Sequence, residues 1–295
     1  MSGTRVTHRT ISTNALANLQ ANLAATQRLS DRLSSGRAIQ RPSDDPSGTV
    51  SALQIRADSR AQQQFVRNAD DGLGWLGVTD GALSNGIAAL RRARELVLQG
   101  ANTGASGQQA REALATEVRT IREGLLETAN TRYLGRPVFG GTTNGDKAFA
   151  ADGSYVGDNG TVERRVSAQS TVRADTPGRD IFTSGGQSVF ELLDRVAENL
   201  TSSPDTLQTD LDELSSFLDR FTTGQSQVGA RYARIESQRQ IAEDRVLDLR
   251  SALSDVENID LPKTVMDLQL QQVAYQASLG ATAKVIQPTL MDFLR

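Results

Sequence analysis

Residues 32–50 read RLSSGRAIQRPSDDPSGTV, and they divide the chain. Upstream, Leu16, Leu19, Leu23, Thr26, Ser30 and Leu33 alternate gaps of three and four, the period of a narrow coiled-coil seam. Gly36 breaks that pattern, as glycine does where a helix ends. Asp44, Asp45 and Pro46 then open a new one. A carboxylate accepts N–H bonds from a first helical turn and meets its positive dipole end, and proline loses little there. Two adjacent carboxylates also raise the question of catalysis. Catalytic pairs flank a substrate several ångströms across, which neighbours in one turn seldom do. The stretch is therefore read as a joint, with Gly36 leaving one helix and Asp44, Asp45 and Pro46 starting the next.

The far end mirrors the near one. Leu261, Val265, Leu268, Gln272, Tyr275, Leu279, Thr282 and Ile286 keep the same alternation. Both seams carry polar positions, so neither helix buries enough apolar surface alone to offset the entropy of ordering it. They are expected to be disordered until they pair, with each other or with copies in neighbouring subunits; the alternative is that both dock on the body as ordinary terminal helices. Leu16, Leu19, Leu23 and Leu33 are the expected subunit-assembly seam on one side. Val265, Leu268, Tyr275, Leu279 and Ile286 are its counterpart.

Between the ends one register runs through Ile55, Val66, Leu73, Leu76, Leu83, Leu90 and Val97, predicting a helix over 47–100 about 80 Å long. Gly72, Gly74, Gly77 and Gly81 each cost about 1 kcal/mol in a helix interior, and imply either close approach by a neighbour or a break. A third helix carries Leu114, Val118, Ile121 and Leu125. Shorter helices are expected near 187–200 and 205–222, before a long seam from Val228 to Val256. Residues 136–185 are rich in Gly, Thr and Asp, with turn pairs at Asn144-Gly145, Asp152-Gly153, Asn159-Gly160 and Pro177-Gly178, the pattern of a small antiparallel β unit.

The fold class is therefore mainly α with a small inserted β domain, the two chain ends forming a long antiparallel helical bundle or coiled coil in an elongated subunit. Three domains are expected: 1–40 with 259–295, 41–135 with 187–258, and 136–186.

Composition narrows the chemistry. The 295 residues carry a net charge of −3, with both signs interspersed, so no electrostatic footprint for nucleic acid or anionic lipid stands out. Cysteine is absent, which removes thiolate nucleophiles and disulfides. No membrane-length apolar run occurs, and the first residues lack the apolar core of a cleavable signal. His8 is the one histidine and forms no triad or metal cluster. GGTTNGDK at 140–147 looks like a phosphate loop, but Asp146 stands where lysine is required and Ala148 offers no hydroxyl. No catalytic residue, cofactor or metal is expected.

QRLSDRLSSGRAIQRPSDDPSGTVSALQIRA (27–57) and NADDGLGWLGVTDGALSNGIAALRRARELVLQGANTGAS (68–106) resemble the N-terminal region of bacterial flagellins and their relatives. SDVENIDLPKTVMDLQLQQVAYQASLGATAKVIQPTLMDFLR (254–295) resembles the matching C-terminal region. Within that superfamily, DDPSG (44–48), RYLGRPVFGGT (132–142) and GSYVGDNGTVERRVSAQSTVRADTPGRDIF (153–182) are similar to the hook-associated branch at the hook–filament junction. The resemblance implies a structural adaptor that assembles with itself in a ring or helical lattice. It implies three further partners: a neighbouring hook-associated protein, flagellin and an export chaperone. It also implies an extracellular place on the flagellum, reached by type III export without a cleavable signal. The alternative within the superfamily is a filament flagellin with a small outer domain. A rival of another class is a peptidoglycan-acting enzyme that uses its acidic residues. Exchanging Asp44 and Asp45 together for Asn keeps the capping acceptors and removes acid–base chemistry. Flagella built with D44N/D45N should assemble normally, with no peptidoglycan hydrolysis to lose; a hydrolytic activity abolished by the exchange would establish the enzyme.

Overall fold

A computed structural model of the chain describes residues 8–102 and 107–286. It is mainly helical, with α1 (His8–Ser35), α2 (Pro46–Asn102) and α3 (Gln108–Ala129) preceding a short β region. Three antiparallel two-stranded hairpins follow: β1 (Arg132–Tyr133) with β2 (Arg136–Pro137), β3 (Glu163–Arg165) with β4 (Thr171–Arg173), and β5 (Thr183–Ser184) with β6 (Gln187–Ser188). The short α4 (Gly178–Phe182) lies before β5, so Pro177-Gly178 opens a helical turn where a hairpin turn was expected. α5 (Val189–Ser202), α6 (Leu207–Glu257) and α7 (Leu261–Ile286) complete the chain.

Contacts divide these residues into two compact units, Met1–Arg60 with Leu247–Arg295 and Ala61–Val246. Residues 136–186 fall within the second. α2 and α6 each contribute residues to both units.

The second unit holds the core. α2 supplies Leu76, Leu83, Leu90 and Val97, α3 supplies Leu114, Val118 and Leu125, and α6 supplies Leu214, Phe221, Val228 and Ile235, all buried. The helical spacing read from the sequence thus turns these residues inward. α5 starts on a capping box, in which Ser188 Oγ accepts from Glu191 N and the Glu191 carboxylate accepts from Ser188 N. Its Leu192, Leu193, Val196 and Leu200 are buried, and it packs on α3. Five of the eight phenylalanines gather at one place: Phe139, Phe149, Phe182, Phe190 and Phe221 meet at centroid separations from 4.9 to 5.9 Å, mostly edge-on or tilted. The β region is thereby fastened to α5 and α6 by apolar contact. A buried carboxylate also holds it: Asp175 accepts from Val162 N at 2.7 Å and pairs with Arg173 at 2.8 Å, while Arg231 of α6 donates to its carbonyl at 2.7 Å.

One expectation is corrected at a glycine, and a choice left open at others is decided. The helices expected near 205–222 and 228–256 are one, α6, which runs through Gly224 without interruption. Gly224 marks a close approach, because an added Cβ would lie 2.4 Å from Ile181 Cδ1. The glycines of α2 also sit in an unbroken helix. A Cβ at Gly72 would touch Ile235 at 3.0 Å, and one at Gly74 would overlap the Tyr133 hydroxyl at 2.4 Å. Gly77 and Gly81 meet nothing within 4 Å. Gly86, which the sequence pattern does not single out, lies against Phe221 with only 2.4 Å for a Cβ.

Substitutions at these sites should change stability in opposite directions. Gly77→Ala should stabilise by up to about 1 kcal/mol through helix propensity alone. At Gly86→Ala the same gain is outweighed by overpacking against Phe221, which costs about 1–3 kcal/mol. Urea unfolding of the two variants measures both signs, and a Gly86→Ala chain more stable than the parent would contradict the packing described.

Candidate functional site

The first unit has almost no core. Among the described residues its buried apolar side chains are Ala52 and Leu249. What holds it together is a helix pair and a joint.

At the joint, Gly36 ends α1 at φ +70°, a conformation that favours glycine, and its N–H returns to the Arg32 carbonyl at 2.9 Å. Residues 36–38 then run beside 257–259: Ala38 N donates to Glu257 O at 2.7 Å, and Ile259 N donates to Gly36 O at 3.1 Å. Glu257 is buried and pairs with Arg56 at 2.6 Å. The two aspartates divide the labour. Asp44 Oδ2 accepts from Arg41 N at 2.9 Å and Gln40 N at 3.2 Å, so it fastens the turn before α2. Asp45 alone caps α2, its Oδ1 accepting from Gly48 N at 2.9 Å and from the Ser47 hydroxyl at 2.7 Å. Pro46 occupies the first helical position. Gly48 completes the motif, since a Cβ there would strike the Asp45 carboxylate at 2.4 Å and Ile39 at 2.6 Å. Both carboxyls are held below the usual 3.8, Asp44 chiefly by the Arg41 N–H and Asp45 chiefly by the Gly48 N–H. Their contribution to the joint is present above the unfolded value and is lost as pH falls through the lower folded one.

From the joint α1 and α7 run antiparallel, because Gly36 lies beside Ile259 while Asn22 reaches the middle of α7. The Asn22 amide donates to the Ser278 hydroxyl at 2.9 Å and accepts from Gln271 Nε2 at 3.2 Å. Facing positions on α1 are Ala15, Leu19, Asn22, Thr26, Leu29 and Leu33, all partly buried. On α7 they are Val265, Leu268, Gln271, Tyr275, Ser278 and Thr282, joined by the buried Thr264. Of the residues assigned to the assembly seam, Leu19, Leu33, Val265, Leu268 and Tyr275 face this pair. Leu16 at 55 %, Leu23 at 41 % and Leu279 at 43 % are exposed. The Ile286 side chain lies outside the described residues.

α7 has a second apolar stripe that the sequence pattern, read by its first alternation alone, does not reveal. Met266, Leu270, Val273 and Ala277 are exposed, Leu270 at 71 %, and their gaps are four, three and four. The signal is nevertheless present: a second heptad alternation set one residue away from the first. Val50 and Leu53 at the start of α2 are exposed as well.

Among the described residues no group of three His, Asp or Glu side chains is placed to hold a metal ion, and no helix is long and apolar enough to cross a membrane. The His8 side chain lies outside the described residues. In the phosphate-loop lookalike, Asp146 pairs with Arg132 at 2.7 Å and Ala148 is buried.

Comparison with known proteins agrees with this geometry. The model of the bacterial flagellin N-terminal helical region matches residues 6–144. Flagellar hook-associated protein 3 of Escherichia coli K12 is 24 % identical over 273 residues, covering 84 % of this chain and 86 % of that protein. The flagellin of Bacillus subtilis 168 is 25 % identical over 294 residues, covering 96 % of each. Among solved structures, a putative flagellar hook-associated protein from Vibrio parahaemolyticus shares the fold. Its TM-score is 0.66 at 20 % identity, covering 73 % of this chain and all (100 %) of that one. With two pairing terminal helices, a joint between capped helices and relatives matched along most of their length, the chain is similar to flagellins and flagellar hook-associated proteins.

Proposed function

We propose that this structural protein of the flagellum is the adaptor layer at the hook–filament junction, self-assembling through its terminal helices. The observation that carries the reading is the contrast between the units. The second buries a continuous core, whereas the first buries two apolar side chains among the described residues and exposes Val50, Leu53, Met266, Leu270 and Val273. Exposed apolar side chains at heptad spacing are completed by further helices. The closing surfaces are neighbouring copies in a ring or helical lattice, where head-to-tail contacts add subunits without limit.

The junction assignment draws on DDPSG, on the short β region and on the likeness to hook-associated protein 3. Its partners are a hook-associated protein on one side and flagellin on the other, with an export chaperone before assembly. The protein stands outside the cell, exported through the flagellar apparatus without a cleavable signal. A second reading, filament flagellin, is favoured by the match along 96 % of the Bacillus subtilis flagellin. Labelling in wild-type flagella separates the two: a junction protein marks one band at the filament base, and a flagellin marks the whole filament.

Removing the first 30 residues deletes most of α1. Incorporation into flagella should then be abolished while the second unit keeps its unfolding transition; normal incorporation would overturn the assembly role. A subtler variant, Leu270→Asp with Val273→Asp, changes two exposed positions. Its monomer stability should stay within about 0.5 kcal/mol of the parent. Incorporation should fall at least about tenfold, the equivalent of about 1.4 kcal/mol per contact. Full incorporation would remove the second stripe from the interface.

A further inference from the structure

We propose that Asn144 is a self-modifying site, at which the folded chain converts the side-chain amide to aspartate and isoaspartate without an enzyme. The reaction draws on local chemistry alone and is independent of assembly.

Three Asn-Gly pairs occur in the chain, Asn85-Gly86, Asn144-Gly145 and Asn159-Gly160. All three asparagine side chains are exposed. In such a pair the glycine nitrogen attacks the asparagine Cγ, because no Cβ shields it and glycine adopts the backbone angles that bring the two atoms together. The N–Cγ bond forms as the Cγ–Nδ2 bond breaks, and the proton of the glycine nitrogen leaves with Nδ2 as ammonia. Water then opens the succinimide ring at either carbonyl, giving aspartate or isoaspartate. One water is consumed, one ammonia is released, and nothing is oxidised or reduced.

The ring closes only where the backbone is free to turn, and the fold separates three pairs that share the same two residues. Gly86 is buried in the unbroken α2, its nitrogen bonded within the helix and its Cα packed on Phe221. Gly160 is held by a carboxylate. Its N–H donates to Asp158 Oδ1 at 3.0 Å, and Asp158 is itself fixed by Thr142 N at 2.6 Å and by the Thr142 hydroxyl at 2.7 Å. Gly160 also lies so close to Thr142 that a Cβ would overlap it. Asn144 and Gly145, by contrast, are both exposed and lie outside every helix and strand. The Gly145 N–H donates to the Thr143 hydroxyl at 3.2 Å, a neutral and exposed acceptor that holds it less firmly than a carboxylate does. A Cβ at Gly145 would have 3.4 Å to its nearest neighbour, so the backbone there is loosely surrounded. Conversion adds a carboxylate two residues before Asp146, whose pair with Arg132 is exposed. Exposed pairs contribute little to stability, so the fold tolerates the change and the converted fraction records the time since folding.

Trypsin leaves the three pairs in separate peptides, 68–91, 133–147 and 148–164, because Arg136 precedes a proline and is not cleaved. The full-length chain is incubated in alkaline buffer, digested beside an unincubated control and read by mass spectrometry. Peptide 133–147 should gain the amide-to-acid mass and split into two isomers, faster as pH rises, since closure removes a proton from nitrogen. Structure that must open before the ring closes slows the reaction in proportion. Conversion at Asn144 should therefore exceed that at Asn159 at least about tenfold and that at Asn85 at least about a hundredfold. In urea the three rates should converge. Gly145→Ala, which fits the space available, should slow Asn144 at least about tenfold without lowering the Tm. Equal rates at the three sites in the folded chain would overturn the proposal, as would an Asn144 that stays unconverted while the urea-unfolded chain reacts. The folded chain's ranking persisting in urea would assign the difference to neighbouring residues and overturn it as well.

Discussion

Unequal burial of apolar surface along one chain governs the rest of this structure. Residues 69–235 contribute a continuous core in which every long helix presents a stripe to its neighbours, and five phenylalanines tie the β region to α5 and α6. The terminal helices have no comparable core. Their shared face alternates Leu19, Leu29 and Leu33 with Asn22 and Thr26, and its best-defined contacts are hydrogen bonds among Asn22, Gln271 and Ser278. A buried polar group at a seam position sets register at the expense of stability. The pair is therefore specific and weak, the combination that suits an element completed by assembly.

The joint serves the same end by different means. Each of the five consecutive residues from Asp44 to Gly48 contributes something separate. Asp44 clasps the turn, Asp45 caps α2, and Pro46 begins it. The Ser47 hydroxyl donates to the cap, and Gly48 leaves room for the Asp45 carboxylate and the Ile39 side chain. The paired carboxylates are committed to backbone N–H groups, which hold both carboxyls below their usual value. Backbone pairing of 36–38 with 257–259 fixes the place where α1 and α7 leave the long helices.

Much of this is legible in the sequence, for reasons tied to particular residues. The α2 register from Leu76 to Val97 is plain because large aliphatic side chains mark every turn. The α1 register is not, because polar residues occupy part of the seam. Counting leucines selects Leu16 and Leu23, whereas the structure turns Asn22 and Ala15 inward and leaves those leucines exposed. Glycine is ambiguous for a similar reason: at Gly224 and Gly86 it admits Ile181 and Phe221, and a sequence does not show what lies opposite. The aromatic cluster is hidden because its members come from segments far apart in the chain.

Hydrogen exchange resolved by mass spectrometry, on the full-length monomer and on the assembled state, tests the unequal division of stability most directly. In the monomer, amides of Leu19–Leu33 and Val265–Ser278 should exchange at least about a hundredfold faster than those of Leu76–Leu96, and assembly should slow them severalfold or more. Terminal helices as protected as α2 in the monomer, with no change on assembly, would contradict the account.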